Sequence, residues 1–277
     1  KTMFKIHLKD TVLDLSTPQV MGILNTTPDS FFEGSRMEHI DIGVNKAIEM
    51  AQFGASILDI GGQSTRPGAE IITESMEIER VVPMIEAIHT ALPNMPISID
   101  TFHASVAKAA LDAGACIVND ISCGNFDPKM LSLVVAYQAG FIGMHQTGGP
   151  TTMHEVQERS DIMSTILNYF IAKKKQFADM GLTQWIVDPG FGFSKTKAEN
   201  FELVKSLAVL KALDLPILLG VSRKSSIYKT LGVDAASALN GTTVLNTIGL
   251  MGGANILRVH DVKEAKEAIT LINEINA

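Results

Sequence analysis

The chain has 277 residues, 46% hydrophobic and 19% charged, which is enough apolar material to bury a large core. Its formal net charge of −7 offers no basic face, so no nucleic-acid partner is expected, and any anion site must be a local cluster. Cys116 and Cys123 are too few for a disulfide framework and point to a reduced, cytoplasmic setting, with no membrane span and no signal peptide expected.

Residues 4–16, FKIHLKDTVLDLS, alternate in the manner of a hairpin. Eight apolar runs follow: QVMGILN (19–25), ASILDIG (55–61), PISIDT (96–101), CIVNDI (116–121), FIGMHQ (141–146), WIVDPG (185–190), PILLGVS (216–222) and NILRVHD (255–261). They are near-continuous Val/Ile/Leu runs, as strands buried on both faces require, and such strands belong to parallel sheets. Helical patterns lie between them. DIGVNKAIEMAQFG closes on Gly54, and the pattern opened by Thr73 carries Pro83 in its interior. ASVAKAALDAG and SDIMSTILNYFIAKKKQFADMG also close on glycine. AASALNGTTVLNTIGLMGG is apolar almost all round, with small residues, and suits a helix packed closely at a subunit contact.

Eight strands alternating with helices predict an α/β fold: one (β/α)8 barrel domain over residues 1–277, with the N-terminal hairpin at its bottom. An open doubly wound sheet is the competitor. Its Gly-rich fingerprint should follow the first strand, where the sequence reads NTTPDSFFEGS instead.

Barrel enzymes gather their chemistry at the C-terminal ends of the strands. Here those ends carry Asn25, Asp59 with the loop to Arg66, Asp100, Asn119 with Asp120, His145, Asp188, Ser222 with Arg223 and Lys224, and Arg258 with His260. Asp100, Asn119 and Asp188 suit the donor-rich edge of a flat heterocycle. Arg66, Lys224, Arg258 and His260 supply donors and positive charge for an anion. Any one strand-end Asp or Asn has a plainer reading as a loop cap. DPGFGFSK (188–195) is in isolation either a tight turn or the floor of a site. His145, inside an apolar run, reads as a satisfied buried residue; His154 and Lys195 receive no role. No Cys/His metal spacing and no nucleophile elbow occurs, so Mg2+ would rest on oxygens such as that of Asn25 and on a substrate phosphate.

The segments GILNTTPDSF (22–31), DIGGQSTRPGA (59–69), ISIDT (97–101), IVNDIS (117–122), MHQTGGPTTM (144–153), IVDPGFGFSK (186–195), GVSRKS (220–225) and LRVHD (257–261) together resemble the dihydropteroate synthases, in that family's order. The resemblance implies a homodimeric transferase of folate biosynthesis, the target of sulfonamides. It would condense 6-hydroxymethyl-7,8-dihydropterin pyrophosphate with p-aminobenzoate, with Mg2+, to give 7,8-dihydropteroate and pyrophosphate. It also implies roles. Asp100, Asn119, Asp188 and Lys224 would hold the pterin. Arg258 would stack on its face and, with His260 and Asn25, grip the pyrophosphate. Thr65, Arg66, Pro67, Phe193, Lys224 and Ser225 would shape the p-aminobenzoate pocket. Lys224, Arg258, His260 and Asp100 would carry catalysis, and Asn25 would be the metal ligand. Gly190 and Gly192 would let the flat ligand approach the backbone.

The chain departs from the family pattern at Phe32 and Glu33 in the first loop, and at Gln63, where glutamate is more frequent. The rivals are a pterin-dependent methyltransferase using methyltetrahydrofolate and a non-catalytic paralogue. STRPG and SRKS speak against the first. Retention of Arg66, Lys224, Arg258 and His260 speaks against the second.

Overall fold

The computed structural model describes residues 4–26, 36–64 and 68–276. Two short strands, β1 (Lys5–His7) and β2 (Val12–Asp14), pair antiparallel as the expected hairpin. Eight strands then form one parallel sheet: β3 (Gln19–Asn25), β4 (Ile57–Gly61), β5 (Ile97–Asp100), β6 (Ile117–Asp120), β7 (Gly140–Met144), β8 (Ile186–Asp188), β9 (Leu218–Leu219) and β10 (Ile256–Val259). Their order is β8-β7-β6-β5-β4-β3-β10-β9, and a parallel bridge between Val187 and Ile217 joins the two ends into a barrel.

Helices α1 (Arg36–Gln52), α2 (Glu74–Ala91), α3 (Ala104–Asp112), α4 (Met130–Tyr137), α5 (Ile162–Asp179), α6 (Lys197–Lys205), α7 (Ser225–Leu231), α8 (Leu239–Gly252) and α9 (Val262–Ile275) alternate with the strands. Local chemistry sets several starts. Thr73 caps α2 by accepting from the Met76 N–H at 3.3 Å, Asp161 caps α5, and Thr196 with Glu199 forms a reciprocal capping box on α6. Pro83 lies inside α2, as the sequence suggested.

The period of two along a strand decides which residues enter the barrel. Ile57, Ile117, Ile142, Ile186, Leu218 and Ile256 form one buried layer with Ile6, Leu8, Leu13 and Leu15 of the hairpin. The hairpin therefore seals the N-terminal end with apolar side chains. Neighbouring positions, such as Val20, Leu58, Ile60 and Val118, face outward into the larger cluster with Val81, Ile85 and Ile166 of the helices. Two residues beyond the sealed layer, on the same face, come Asp59, Asn119, Asp188 and Arg258. Phe102, Ile121, Met144, Met153 and Phe193 make a third, smaller cluster at that C-terminal end.

Among the described residues no helix is long and apolar enough to cross a membrane. Both cysteines are free thiols.

Candidate active site

Arg258 is the centre of the polar rim. Its Nε donates to Asp59 Oδ2 and its Nη2 to Asp100 Oδ2, each at 2.6 Å. Asp59 Oδ2 also accepts from Asn119 Nδ2 at 3.1 Å, while its buried Oδ1 has no partner among the described residues. Four strand ends are thus tied into one chain, Asn119–Asp59–Arg258–Asp100. Burial pulls the guanidinium pKa down, but the two carboxylates overcome it and keep Arg258 charged. Asp59 stood among the strand-end acids in the sequence but received no role. Its place as the buried anchor of Arg258 emerges only when β4 and β10 come together.

Asp100 is pushed up to about 7, first by burial and then by Asp59, Asp120 and Asp188, with Arg258 opposing. Asp188 is raised for the same first reason, Lys224 opposing. Its Oδ1 accepts from the Gly190 N–H at 2.8 Å, so Oδ2 is what it can present to a ligand. Asn119 spends its amide nitrogen on Asp59 and can present its carbonyl oxygen. Three acceptors therefore converge on one end of the barrel, matched to a ligand rich in N–H groups. Asp120 instead caps the loop after β6, accepting from the N–H groups of Ser122 at 2.7 Å and Gly124 at 2.8 Å.

Lys224 donates to the Phe191 carbonyl and lies 4.7 Å from the centre of the Phe193 ring. Burial lowers its pKa to about 8; Asp188 and Asp100 hold it up and Arg258 presses it down. Phe193 is buried and stacks on His154 at 5.2 Å, a histidine given no role from sequence. Ser225 is exposed at the start of α7. Asn25 ends β3, and a Cβ on Gly61 would sit 3.7 Å from its Oδ1 and 3.8 Å from Asp100 Oδ2, so the missing side chain leaves room between these two oxygens. Thr65, Arg66 and Pro67, like Phe32 and Glu33, lie outside the described residues.

Two expectations change. His260 does not supply positive charge: burial, then Arg258, lower its pKa to about 4. Its Nδ1 and the Ser222 hydroxyl share a 2.9 Å hydrogen bond, and the His260 backbone N–H donates to that hydroxyl at 3.1 Å. It is a neutral imidazole held in place by Ser222. His145 is not satisfied, because its buried Nδ1 has no partner among the described residues. The glycines of DPGFGFSK answer a constraint within the protein itself. Gly190 has φ +74° and its Cα faces the His145 carbonyl so closely that a Cβ would collide with it; a Cβ on Gly192 would meet Lys224 Cδ at 3.0 Å.

Lys195 also gains a role. It is buried, and its Nζ donates to the carbonyls of His145 (3.2 Å), Gly190 (2.9 Å) and Phe193 (3.1 Å). It locks the turn that carries Asp188 and Phe193. Arg159 braces the same turn from outside, donating to the Ser194 carbonyl at 2.9 Å and Thr147 Oγ1 at 3.0 Å. Gly190→Ala is therefore expected to cost about 2 kcal/mol or more, since left-handed backbone alone costs roughly 1–2 kcal/mol in a residue with a Cβ. A thermal midpoint equal to wild type would contradict this.

Comparison with known proteins agrees with the geometry. A family model described as pterin binding enzyme matches residues 21–260. A dihydropteroate synthase of Synechocystis sp. is 44% identical over 247 residues, 88% of this chain and 85% of its own. The dihydropteroate synthase of Xanthomonas albilineans, solved with 4-aminobenzoic acid, superposes with a TM-score of 0.92 at 33% identity, covering 100% of this chain and 99% of that one. The Yersinia pestis dihydropteroate synthase, solved with a sulfonamide drug, gives 0.91 at 37% identity, with 99% of each chain covered.

Proposed function

The chain belongs to the dihydropteroate synthases of the pterin-binding enzyme family, and from that premise we propose how its barrel mouth does the work. The activity is a group transfer in folate synthesis: 6-hydroxymethyl-7,8-dihydropterin pyrophosphate and p-aminobenzoate become 7,8-dihydropteroate and pyrophosphate. The synthases reported above support this reading over the methyltransferase and non-catalytic alternatives.

The observation that carries the mechanism is the interlocked rim. Asp100, Asn119 and Asp188 take the N–H edge of the pterin, each already oriented by Arg258, Asp59 or Gly190. The C–O bond to pyrophosphate breaks, with electron release from the pterin stabilising the developing cation. Arg258, Lys224, neutral His260 through its second nitrogen, and Asn25 stabilise the departing anion. The arylamine, unprotonated at neutral pH, attacks the same carbon from the side walled by Phe193 and Lys224, beside Ser225; the family resemblance assigns Thr65, Arg66 and Pro67 to the same substrate. No general base needs to be strong, because the nucleophile starts neutral, and positioning supplies much of the rate.

Among the described residues no cluster of three or more His, Cys, Asp or Glu could hold a metal. A single neutral oxygen, Asn25 Oδ1, beside the space left by Gly61, fits Mg2+ that arrives largely on the substrate phosphates. Mg2+ when bound neutralises charge on the pyrophosphate. We further assign the chain a cytoplasmic setting, a single catalytic domain and a homodimeric state. Val244, Ile248 and Met251 form an exposed apolar stripe on α8, spaced as one helix face, that a second copy would cover.

The test is dihydropteroate formation and pyrophosphate release, with and without p-aminobenzoate. With both substrates present, dihydropteroate and pyrophosphate should appear in equal amounts; pyrophosphate release that is unaffected by p-aminobenzoate and yields no dihydropteroate would defeat the reading. Asp188→Asn keeps the acceptor for Gly190 but replaces the outward oxygen with a donor. It should weaken pterin binding about tenfold, roughly 1.4 kcal/mol, with the fold intact. Unchanged affinity by calorimetry would return Asp188 to the role of turn cap.

A further inference from the structure

Gln63 is where the chain leaves the family pattern inside a motif it otherwise keeps, and the structure gives that amide a specific task. The side chain is buried. Its Nε2 donates to the Ser64 carbonyl at 2.8 Å and to the Glu70 carbonyl at 2.9 Å. Its Oε1 accepts from the Ile72 N–H at 2.8 Å. Two carbonyls and one N–H fix which end is nitrogen, and all the partners are main chain. The base of this clamp is itself rigid. Arg80 of α2 donates to the Gly62 carbonyl at 3.0 Å, Gly62 backs so closely onto α2 that a Cβ would meet Val81 Cγ1 at 2.8 Å, and Thr73 caps α2 directly after Ile72.

On its outer side the clamp forms one wall of a cavity of about 320 Å3. Phe102, Met153 and His154 make the opposite wall. His154 stacks on Phe193, and Phe193 underlies Lys224 at 4.7 Å. Through His154 and Phe193 the clamp is thus linked by packing to the arylamine side of the site.

We propose that Gln63 is a positioning residue for the p-aminobenzoate side of the reaction. Its amide sets the separation of Ser64, Glu70 and Ile72, and with it the wall that faces Phe102 and His154. The proposal rests on the synthase reading and adds a residue to it. A carboxylate at this position would keep the acceptor for Ile72 but aim a second acceptor at two carbonyl oxygens, losing both donors. A methionine would keep the length and lose all three bonds.

The experiment compares Gln63→Met and Gln63→Glu with the unaltered full chain, measuring KM for p-aminobenzoate and for the pterin pyrophosphate separately. Cleavage after Glu70 by a glutamyl endopeptidase reports on the clamp in Gln63→Met. Gln63→Met should raise KM for p-aminobenzoate at least tenfold, leave KM for the pterin substrate within twofold, and speed cleavage. Gln63→Glu should fall between, because one bond survives. Equal rises in both KM values, or faster cleavage with neither KM moved, would reduce Gln63 to a structural tie and overturn the proposal. Wild-type KM values in Gln63→Glu would overturn the role of the two donors. If the unaltered chain forms no dihydropteroate, the synthase reading fails and the proposal with it. An active parent with an unmoved p-aminobenzoate KM in Gln63→Met sinks the proposal alone.

Discussion

Arg258→Met should lower stability by about 3–5 kcal/mol, the usual result of removing one partner from a buried ion pair. Asp59 is fully buried; among the described residues one of its oxygens has no partner and Arg258 is the cation that donates to the other. Without it the Asp59 carboxylate is left buried with its ion-pair partner removed. Asp100 loses its donor at the same moment. The same change should reduce kcat/KM about 10²–10³-fold, the range seen when one preorganised donor to a developing anion is removed. The two losses separate in a double variant. Arg258→Met with Asp59→Asn removes the stranded charge and should recover much of the urea midpoint while activity stays low. A midpoint in Arg258→Met equal to wild type would show that Asp59 needs no cation.

Lys224→Ala should lower kcat/KM at least tenfold, roughly 1.4 kcal/mol or more of transition-state stabilisation. The ammonium lies between the Phe191 carbonyl, the Phe193 ring and the Asp188 carboxylate, so it touches both halves of the reaction. Its charge also predicts a pH profile. Burial brings the folded-state pKa to about 8 from 10.5, so the useful ammonium is lost as pH rises through about 8, and kcat/KM should fall there. Stability moves the other way. Between about 8 and 10.5 the unfolded chain binds more protons at this lysine than the folded one, so its contribution to folding improves with pH. Lys224→Arg keeps the charge beyond this range and should move the alkaline limb upward even if its rate is lower. Identical alkaline limbs in the two proteins would assign that limb to another group.

The barrel was legible because its strands are buried on both faces and so are written as unbroken apolar runs. QVMGILN matches β3 residue for residue. PILLGVS shrinks to Leu218–Leu219, because Gly220 onward already turns to present Ser222 and Lys224. The rim was legible as a list of strand-end polar residues, since polarity at that end of a buried strand is costly unless used. Pairings within it were not. Asp59 and Arg258 are 199 residues apart, and nothing local to either reveals the other. The charge of His260 depends on burial beside Arg258, and composition cannot show burial. Lys195 looked like any loop lysine until its three carbonyl partners, two of them from its own turn, closed around it. Gln63 was visible as an anomaly but not as a clamp, because its partners are main-chain atoms that every residue possesses.

The hairpin that packs Ile6, Leu8, Leu13 and Leu15 onto the first residues of the strands makes the barrel a vessel with a single doorway. Traffic is then shared. Pyrophosphate and dihydropteroate must depart through the opening that the next pair of substrates needs, so each product competes for the route as well as for the seat. A synthase built this way would slow as its own products accumulate, and its pace in a cell would follow how quickly the next enzymes clear the door.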